Sequence, residues 1–307
     1  LWGAFTLLVV VMLAVDLGLN RKSHQVSFKE ALGWSLVWVG LALVFNVGIY
    51  FMMGKQPALE FLTGYLIEKS LSVDNLFVFI MIFTVFGVRG ELQARVLKWG
   101  ILGALVMRVL FIFVGAELLQ RFQWLFYIFG AILLYTAWKM AFGPSHEMDP
   151  DKNIIVRFAR KFLPMTRKIR GDWFFTRRLQ LWVASPLFMV LLVVEASDLV
   201  FALDSIPAIF AITLDPFIVL TSNVFAIMGL RSLYFLLAGV MGMFIYLKYG
   251  ISFILGFVGI KMILIMLGLH IPIAVSLGII VLSLVAAIAA SLILPKQTNA
   301  VAGQEAG

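Results

Sequence analysis

Long apolar stretches dominate the chain, and they determine its environment. An α-helix needs about 20 apolar residues to cross the hydrocarbon of a bilayer. Only 13% of the residues are charged and 63% are hydrophobic, whereas soluble domains carry about 25% charged residues. The sequence therefore predicts an all-α polytopic membrane protein with about nine transmembrane helices. The stretches are 1–19, 31–53, 60–86, 93–118, 122–142, 184–213, 216–241, 248–268 and 271–294.

The basic residues lie mainly in the connections between these stretches. Lysine and arginine concentrate in 20–30, 87–98 and 143–183, which nine crossings place on one side of the membrane. The opposite connections carry only Lys55 and Arg121. The positive-inside rule makes the basic side cytoplasmic, so we expect the N-terminus outside and the C-terminus inside. The net charge of +8 is then an orientation signal and does not indicate nucleic-acid binding.

Two stretches contain the same acidic motif. The third stretch reads EKSLSVDNLFVF, in which Glu68 precedes Asp74 by six positions. The sixth stretch reads DLVFALDSIPAIFA, in which Asp198 precedes Asp204 by six positions. The second acid of each motif is followed by a small polar residue. This similarity indicates an internal repeat.

The helices that follow each motif extend the repeat. The next stretch of each half contains one arginine in an apolar setting, Arg108 or Arg231, and the one after it ends in a Lys–Met pair at Lys139 or Lys261. Each unit has three helices, so the second starts on the opposite side from the first and is inverted. Inverted repeats with a binding site near the midplane are a recurring transporter architecture.

The repeat divides the chain into five regions. They are two flanking transmembrane helices in 1–59, the first repeat in 60–142, a basic cytoplasmic loop in 143–183, the second repeat in 184–268, and the last transmembrane helix with a disordered tail in 269–307.

Acidic residues inside membrane helices need compensation. A charge at the centre of a membrane helix costs about 2.5–3.5 kcal/mol on an insertion scale. Glu195 and Asp198 share a helix face because they are three positions apart. Protonation, pairing with the four basic residues of the repeat, or a bound cation can offset the cost. Structural ion pairs alone remain an alternative, and Asn223 is equally consistent with a hydrogen bond between helices.

The available ligands favour hard cations. Glu68 and Asp74 face about 240° apart on a regular helix, so we expect a break near Ser70 and Ser72, and another near Ser205–Ile206–Pro207. A broken helix also releases carbonyl oxygens. Carboxylate, amide, hydroxyl and carbonyl oxygens suit magnesium, calcium or manganese. Burial disfavours the charged form of a carboxylate, so a divalent cation that displaces protons would give proton-coupled antiport.

The motifs EKSLSVDNLFVF, VEASDLVFALDSIPAIFAIT and DPFIVLTSNVFAIMGLRSLYFLLAG resemble the TerC family of membrane proteins, and the resemblance extends over nearly the whole chain. It implies paired three-helix repeats, location in the bacterial inner membrane, and export of Mn²⁺ as the transported ion, with no prosthetic group. It also implies that the acidic motifs form the metal site or its path. The residues so assigned are Glu68, Asp74, Asn75, Glu195, Asp198 and Asp204, with Asp16 and Ser205 as auxiliary residues and Arg108, Lys139, Arg231 and Lys261 as charge-pairing residues.

Several functions remain open at this stage. The expected partners of a transporter are the bilayer, a divalent metal ion and protons. A membrane partner protein for metal loading or assembly of exported proteins, a Ca²⁺ antiporter and an exporter of organic cations are the alternatives. We do not expect an enzyme, because the chain has no cysteine and no GxSxG-type nucleophile in the apolar stretches.

Overall fold

A computed structural model describes residues 1–18, 27–88, 90–143, 173–178, 181–239, 246–269 and 271–293. Most of the predicted basic loop and the predicted tail lie outside the described residues. The described residues form ten helices: α1 (Trp2–Gly18), α2 (Phe28–Met53), α3 (Lys55–Val85), α4 (Gly90–Arg121), α5 (Leu125–Phe142), α6 (Pro186–Phe210), α7 (Pro216–Ile227), α8 (Leu230–Gly239), α9 (Leu247–Met266) and α10 (Ile273–Ile293).

Local sequence signals set several helix boundaries. Ser27 caps α2, since its hydroxyl accepts a hydrogen bond from the Glu30 backbone N–H. Asp215 caps α7 by accepting from the Phe217 N–H at 2.8 Å. Short polar side chains at this position satisfy backbone donors that the first helical turn leaves without partners.

Each predicted apolar stretch coincides with a helix, or in one case with the pair α7 and α8. Within the described residues, six helices are long and apolar enough to span a membrane, and α7 with α8 makes a seventh if the pair is one span. The apolar part of α1 is shorter, and α3 is not among the six. The chain is thus a multi-pass membrane protein, while the count of nine spans and the inverted topology remain predictions.

Among the described residues, one hairpin departs from the predicted all-α fold. Strands β1 (Phe175–Arg178) and β2 (Leu181–Ala184) pair antiparallel within the segment predicted as a loop. The Ser185 N–H donates to the Phe174 carbonyl at 2.8 Å, and the Phe174 ring meets Trp99 of α4 edge-on at 6.4 Å. Strand pairing and this aromatic contact explain why a short hairpin forms at the end of the predicted loop, next to α6.

The predicted helix breaks are wrong in position. α3 is continuous through Ser70 and Ser72, and α6 continues through Pro207 to Phe210. Pro207 lacks the backbone N–H that would donate to the Leu203 carbonyl, and α6 ends three residues after it, at Phe210. The chain bends instead between α7 and α8, by 43°.

Glycine explains the position of this bend. Gly229 has φ +79°, a conformation that glycine adopts far more readily than other residues. A Cβ at Gly229 would lie 2.5 Å from the Trp38 ring of α2, so the close approach of α2 also requires glycine. Neither requirement is visible in the hydropathy pattern.

The two predicted repeat units pack on each other in a reciprocal way. We call α3–α5 the first unit and α6–α9 the second. α3 packs on α7 while α4 packs on α6, α5 packs on α9, and α3 packs on α6. Exchange of the two units leaves this set of contacts unchanged, as a twofold relation between repeats would require. The contacts between α3, α4, α6 and α7 enclose a group of buried polar side chains.

Candidate functional site

Four polar side chains from four helices meet in the centre of the protein. We call Glu68, Arg108, Asp198 and Asn223, which lie on α3, α4, α6 and α7, the central cluster. Arg108 Nη1 donates to Glu68 Oε1 and, at 3.0 Å, to Asn223 Oδ1. Asn223 Nδ2 donates to Glu68 Oε2 at 3.2 Å. Arg108 Nη2 lies 3.6 Å from Asp198 Oδ1, so one guanidinium bridges the first acid of both motifs.

Burial makes these interactions strong. Glu68 and Asn223 are 0% exposed, and Arg108 is 1% exposed. Glu68 lies thirteen residues after Lys55, where α3 begins, and Asp198 lies twelve residues after Pro186, where α6 begins. At 1.5 Å per residue these positions are about 20 Å and 18 Å from the helix starts. Both acids therefore lie deep within a hydrocarbon layer of about 30 Å.

Some polar atoms of the cluster have no hydrogen-bond partner among the described residues. They are Arg108 Nε, Arg108 Nη2 and Asp198 Oδ2, all buried, and Ser72 Oγ and Ser205 Oγ show the same property. Buried polar atoms are normally hydrogen-bonded, and exceptions call for an explanation such as an ion, water or a functional role. The central cluster thus has spare capacity for a polar ligand.

Glu195 lies at the edge of the central cluster. It is half-buried and precedes Asp198 by one helical turn. Its carboxylate lies against two glycines of α4: a Cβ at Gly103 would overlap it, and a Cβ at Gly100 would approach its Oε1 to 3.9 Å. No basic side chain among the described residues forms a salt bridge with Glu195. Because Gly100 and Gly103 have no side chains, α4 leaves room for this carboxylate.

Asp204 belongs to a different environment. Thr136 of α5 donates a hydrogen bond to Asp204 Oδ1 at 3.0 Å, and Lys139 is close enough to interact electrostatically. Six residues along a continuous helix turn the side chain by about 240°. Asp198 consequently faces α4 while Asp204 faces α5, and the two acids of the second motif do not share one site.

The first motif is described only in part. Asp74 lies within α3, but its side chain is outside the described residues. Asn75 is buried, with 6% exposure. The predicted metal-binding role of Asp74 is therefore not tested by the geometry.

Arg231 does not mirror Arg108. Its Nη2 donates to the backbone carbonyl of Asp16 at 2.8 Å and lies 3.4 Å from the Asp16 carboxylate. Both residues are buried. This pair joins α8 to α1, so Asp16 serves a contact between helices and lies apart from the central cluster.

The fourth predicted pairing residue, Lys261, binds a neutral group. Its Nζ donates to the Ser276 hydroxyl of α10 at 3.0 Å, and Glu60 of α3 interacts with it electrostatically. Lys261 is 5% exposed. The lysines of the two units thus have different partners, and the repeat is not followed at the level of individual contacts.

Lys69 is a functional candidate that was not predicted from the sequence. Lys69 follows Glu68 directly, and its Nζ donates to the carbonyl oxygens of Ala226 and Met228 at 3.2 and 3.4 Å. A lysine inside the first acidic motif was a visible signal, because charged residues at membrane depth are functional candidates by default. Its target was not visible, since the bend between α7 and α8 was not predicted.

The predicted metal ligands whose side chains the structure describes do not all lie at one place. Among the residues that the structure describes, no three acidic, histidine or cysteine side chains are grouped as a metal site. Glu68 and Asp198 meet at Arg108, Glu195 lies beside them, and Asp204 lies elsewhere. A site that uses all six residues remains a prediction.

Comparison with known proteins identifies close relatives. The profile of the family described as "Integral membrane protein TerC family" matches residues 53–299. The chain is 53% identical over 294 residues to an uncharacterized membrane protein of Myxococcus xanthus, covering 95% of this chain and 92% of the relative.

Two further relatives are informative. "Putative membrane-bound redox modulator Alx" of Escherichia coli K12 is 52% identical over 290 residues, which is 91% of this chain and 90% of the relative. The chloroplastic thylakoid membrane protein TERC of Arabidopsis thaliana is 43% identical over 267 residues, with coverage of 87% and 70%. No solved structure matches the chain.

Proposed function

Because the chain belongs to the TerC family of integral membrane proteins, we propose that it exports divalent metal cations, most specifically Mn²⁺, from the cytoplasm in exchange for protons. The sequence resemblance to this family is thereby confirmed, and the transported ion and the coupling are the proposal. The membrane in question is the bacterial inner membrane, in keeping with the bacterial relatives.

The convergence of Glu68 and Asp198 on Arg108 is the observation that carries the proposal. Each acid comes from a different unit, and both are buried where the units meet. Binding sites at a repeat interface near the midplane are typical of secondary transporters. With Glu195 beside them, three carboxylates face one guanidinium and the ammonium of Lys69. The acidic groups are in excess, which favours a cationic cargo.

The ligand chemistry supports a hard divalent ion. Carboxylate and amide oxygens from Glu68, Asp198 and Asn223 are available within one cluster, and such donors suit manganese, magnesium and calcium. A redox role, as in the name of Alx, would have to proceed without thiols, because the 307 residues include no cysteine. The oxygen donors therefore favour ion transport as the leading function.

The geometry suggests how the residues act. A cation has to compete with the Arg108 guanidinium, because both need the oxygens of Glu68 and Asp198. Glu195, half-buried and without a basic partner among the described residues, is the carboxylate best placed to receive the cation first. After release of the cation, Arg108 and Asn223 bind the ionised carboxylates of Glu68 and Asp198 again, and the protons that move inward bind the remaining carboxylates.

Flux of radioactive Mn²⁺ into proteoliposomes tests the proposal. Wild type is compared with the conservative variants Glu68→Gln, Asp74→Asn, Asp198→Asn and Asp204→Asn, with and without a pH gradient. Glu117→Gln is the matched control, because Glu117 also lies on a membrane helix but is exposed. We expect the wild type and the Glu117→Gln control to transport Mn²⁺, and the central-cluster variants to lose this flux.

The outcomes separate the alternatives. If Asp74→Asn and Asp204→Asn also lose Mn²⁺ flux, the ion path includes the second acid of each motif. Mn²⁺ flux that is the same with and without a pH gradient would refute proton coupling. Preference for Ca²⁺ over Mn²⁺ would favour a calcium antiporter. Folded protein without flux of any tested ion would refute the exporter and favour a partner protein for metal loading or assembly.

A further inference from the structure

The bend between α7 and α8 presents backbone carbonyls inside the protein. α7 ends at Ile227 and α8 begins at Leu230, and the last carbonyls of a helix lack partners in that helix. They also form the negative end of the helix dipole. The carbonyl oxygens of Ala226 and Met228 lie at this end, and both accept a hydrogen bond from Lys69.

Lys69 therefore joins α3 to the end of α7. Its ammonium donates to the carbonyl oxygens of Ala226, in α7, and Met228, in the bend. The neighbouring Glu68 accepts a hydrogen bond from Asn223, which lies about one turn before Ala226 in α7. Two consecutive residues of α3 thus hold the C-terminal end of α7 through opposite charges. The position of the bend and the position of Glu68 are linked through this double contact.

The ligands around the ammonium are those that a small cation uses. In transporters, carbonyls at the C-terminal ends of interrupted helices coordinate sodium or protons. Lys261 provides a contrast within the chain, because it is also buried but donates to the Ser276 hydroxyl of a continuous helix. The carbonyl environment is therefore a feature of Lys69 and is not shared by Lys261.

We propose that the carbonyl oxygens of Ala226 and Met228 form a monovalent-cation site, which the Lys69 ammonium fills as a tethered cation. When the ammonium is removed, the site binds an alkali cation such as sodium. A monovalent ion is the expected occupant because it restores the single positive charge that is lost. Glu68 is close enough to Lys69 to interact electrostatically, and it adds the negative charge that neutral carbonyls lack.

Thermal unfolding in detergent tests this site without any need for transport. Lys69→Met is measured in choline chloride and in sodium chloride at equal ionic strength, so that screening is the same in both. Ligand binding to the folded state alone raises its stability with concentration. We expect the Tm of Lys69→Met to rise by about 3 °C or more between zero and about 150 mM sodium. Wild type and Lys69→Arg should show no such rise, because each keeps a cation in place.

Lys261→Met is the matched control, since it also removes a buried ammonium. Its Tm should not depend on sodium. A Lys69→Met protein that is recovered folded in sodium but not in choline would also support the site. If Lys69→Met unfolds in both salts, Lys69→Gln is measured in the same way, because its amide keeps a donor and removes only the charge. The proposal is overturned if the measurable neutral variant responds equally to choline and sodium, or if Lys261→Met responds as strongly.

Failure of this experiment is distinguishable from failure of the proposed export function. The readout is the stability of the purified protein, so it is unaffected by the identity of the transported ion. A protein that carries Mn²⁺ can lack the sodium response of Lys69→Met, and the converse also holds.

Discussion

Replacement of Arg108 tests whether the central cluster is an energetically coupled unit. Glu68 is 0% exposed in the wild-type protein, and Arg108→Met removes the guanidinium that bridges it to Asp198. Only Asn223 Nδ2 remains as a donor to Glu68 among the described contacts. Breaking a buried ion pair by removing one partner costs about 3–5 kcal/mol, whereas replacing both partners is often neutral.

The magnitude follows from this difference. We expect Arg108→Met to destabilise the protein by about 3–5 kcal/mol. Each kcal/mol corresponds to roughly 2–4 °C in Tm for chains approaching this size, so Tm should fall by about 6 °C or more. Glu68→Gln in the Arg108→Met background should then restore part of the loss. The coupling energy between the two sites should exceed about 2 kcal/mol, a large value for residues in contact.

The assay is thermal unfolding of purified protein, followed by tryptophan fluorescence, for the two single variants and the double variant. Arg108→Met combined with Glu117→Gln is the control, because Glu117 is exposed on the same helix and distant residues usually give additive effects. Additive effects of Arg108→Met and Glu68→Gln, equal to those of the control pair, would refute the coupled cluster. The carboxylates would then have to be stabilised by other groups.

Three further outcomes are expected. Glu195→Gln should keep the wild-type Tm within about 2 °C, because no basic partner is lost, and should reduce Mn²⁺ flux; full flux would remove Glu195 from the path. Gly103→Ala should reduce Mn²⁺ flux in folded protein, because its Cβ overlaps the Glu195 carboxylate. Gly40→Ala is the control, because no atom lies within 4 Å of its Cβ, and it should leave the flux unchanged. Equal flux in the two variants would contradict this prediction. Arg231→Met should lower Tm more than Asp16→Asn does, because Asp16→Asn keeps the 2.8 Å bond from Arg231 to the backbone carbonyl of residue 16. A larger fall in Tm for Asp16→Asn would show that the carboxylate is the main partner of Arg231.

Helix positions were predictable because the information is local. About 20 consecutive apolar residues predict a helix wherever they occur, and every predicted stretch corresponds to helical structure in the protein. Caps such as Asp215 act through bonds two residues away. The hairpin at Phe175–Ala184 was not predicted, since the Phe174 ring beside it contacts Trp99 of α4, which is far away in the sequence.

The bend between α7 and α8 shows where local information fails. Proline is the usual helix breaker, and it directed the prediction to Pro207. The bend lies instead at Gly229, where Trp38 of another helix leaves no room for a side chain. Only the packing of α2 against α8 makes this glycine necessary.

The sequence by itself determined that this is a membrane protein of the TerC family, and that acidic residues in two similar motifs lie deep inside it. Composition, helix length and residue order carry this information because each is a property of short segments. The tertiary structure alone decided the partners: Arg108 binds the first acid of both motifs, Arg231 binds Asp16, and Lys69 binds the end of α7. A long basic side chain in a membrane interior needs an acceptor such as a carboxylate, carbonyl or hydroxyl oxygen, and which one lies within reach depends on how distant helices pack.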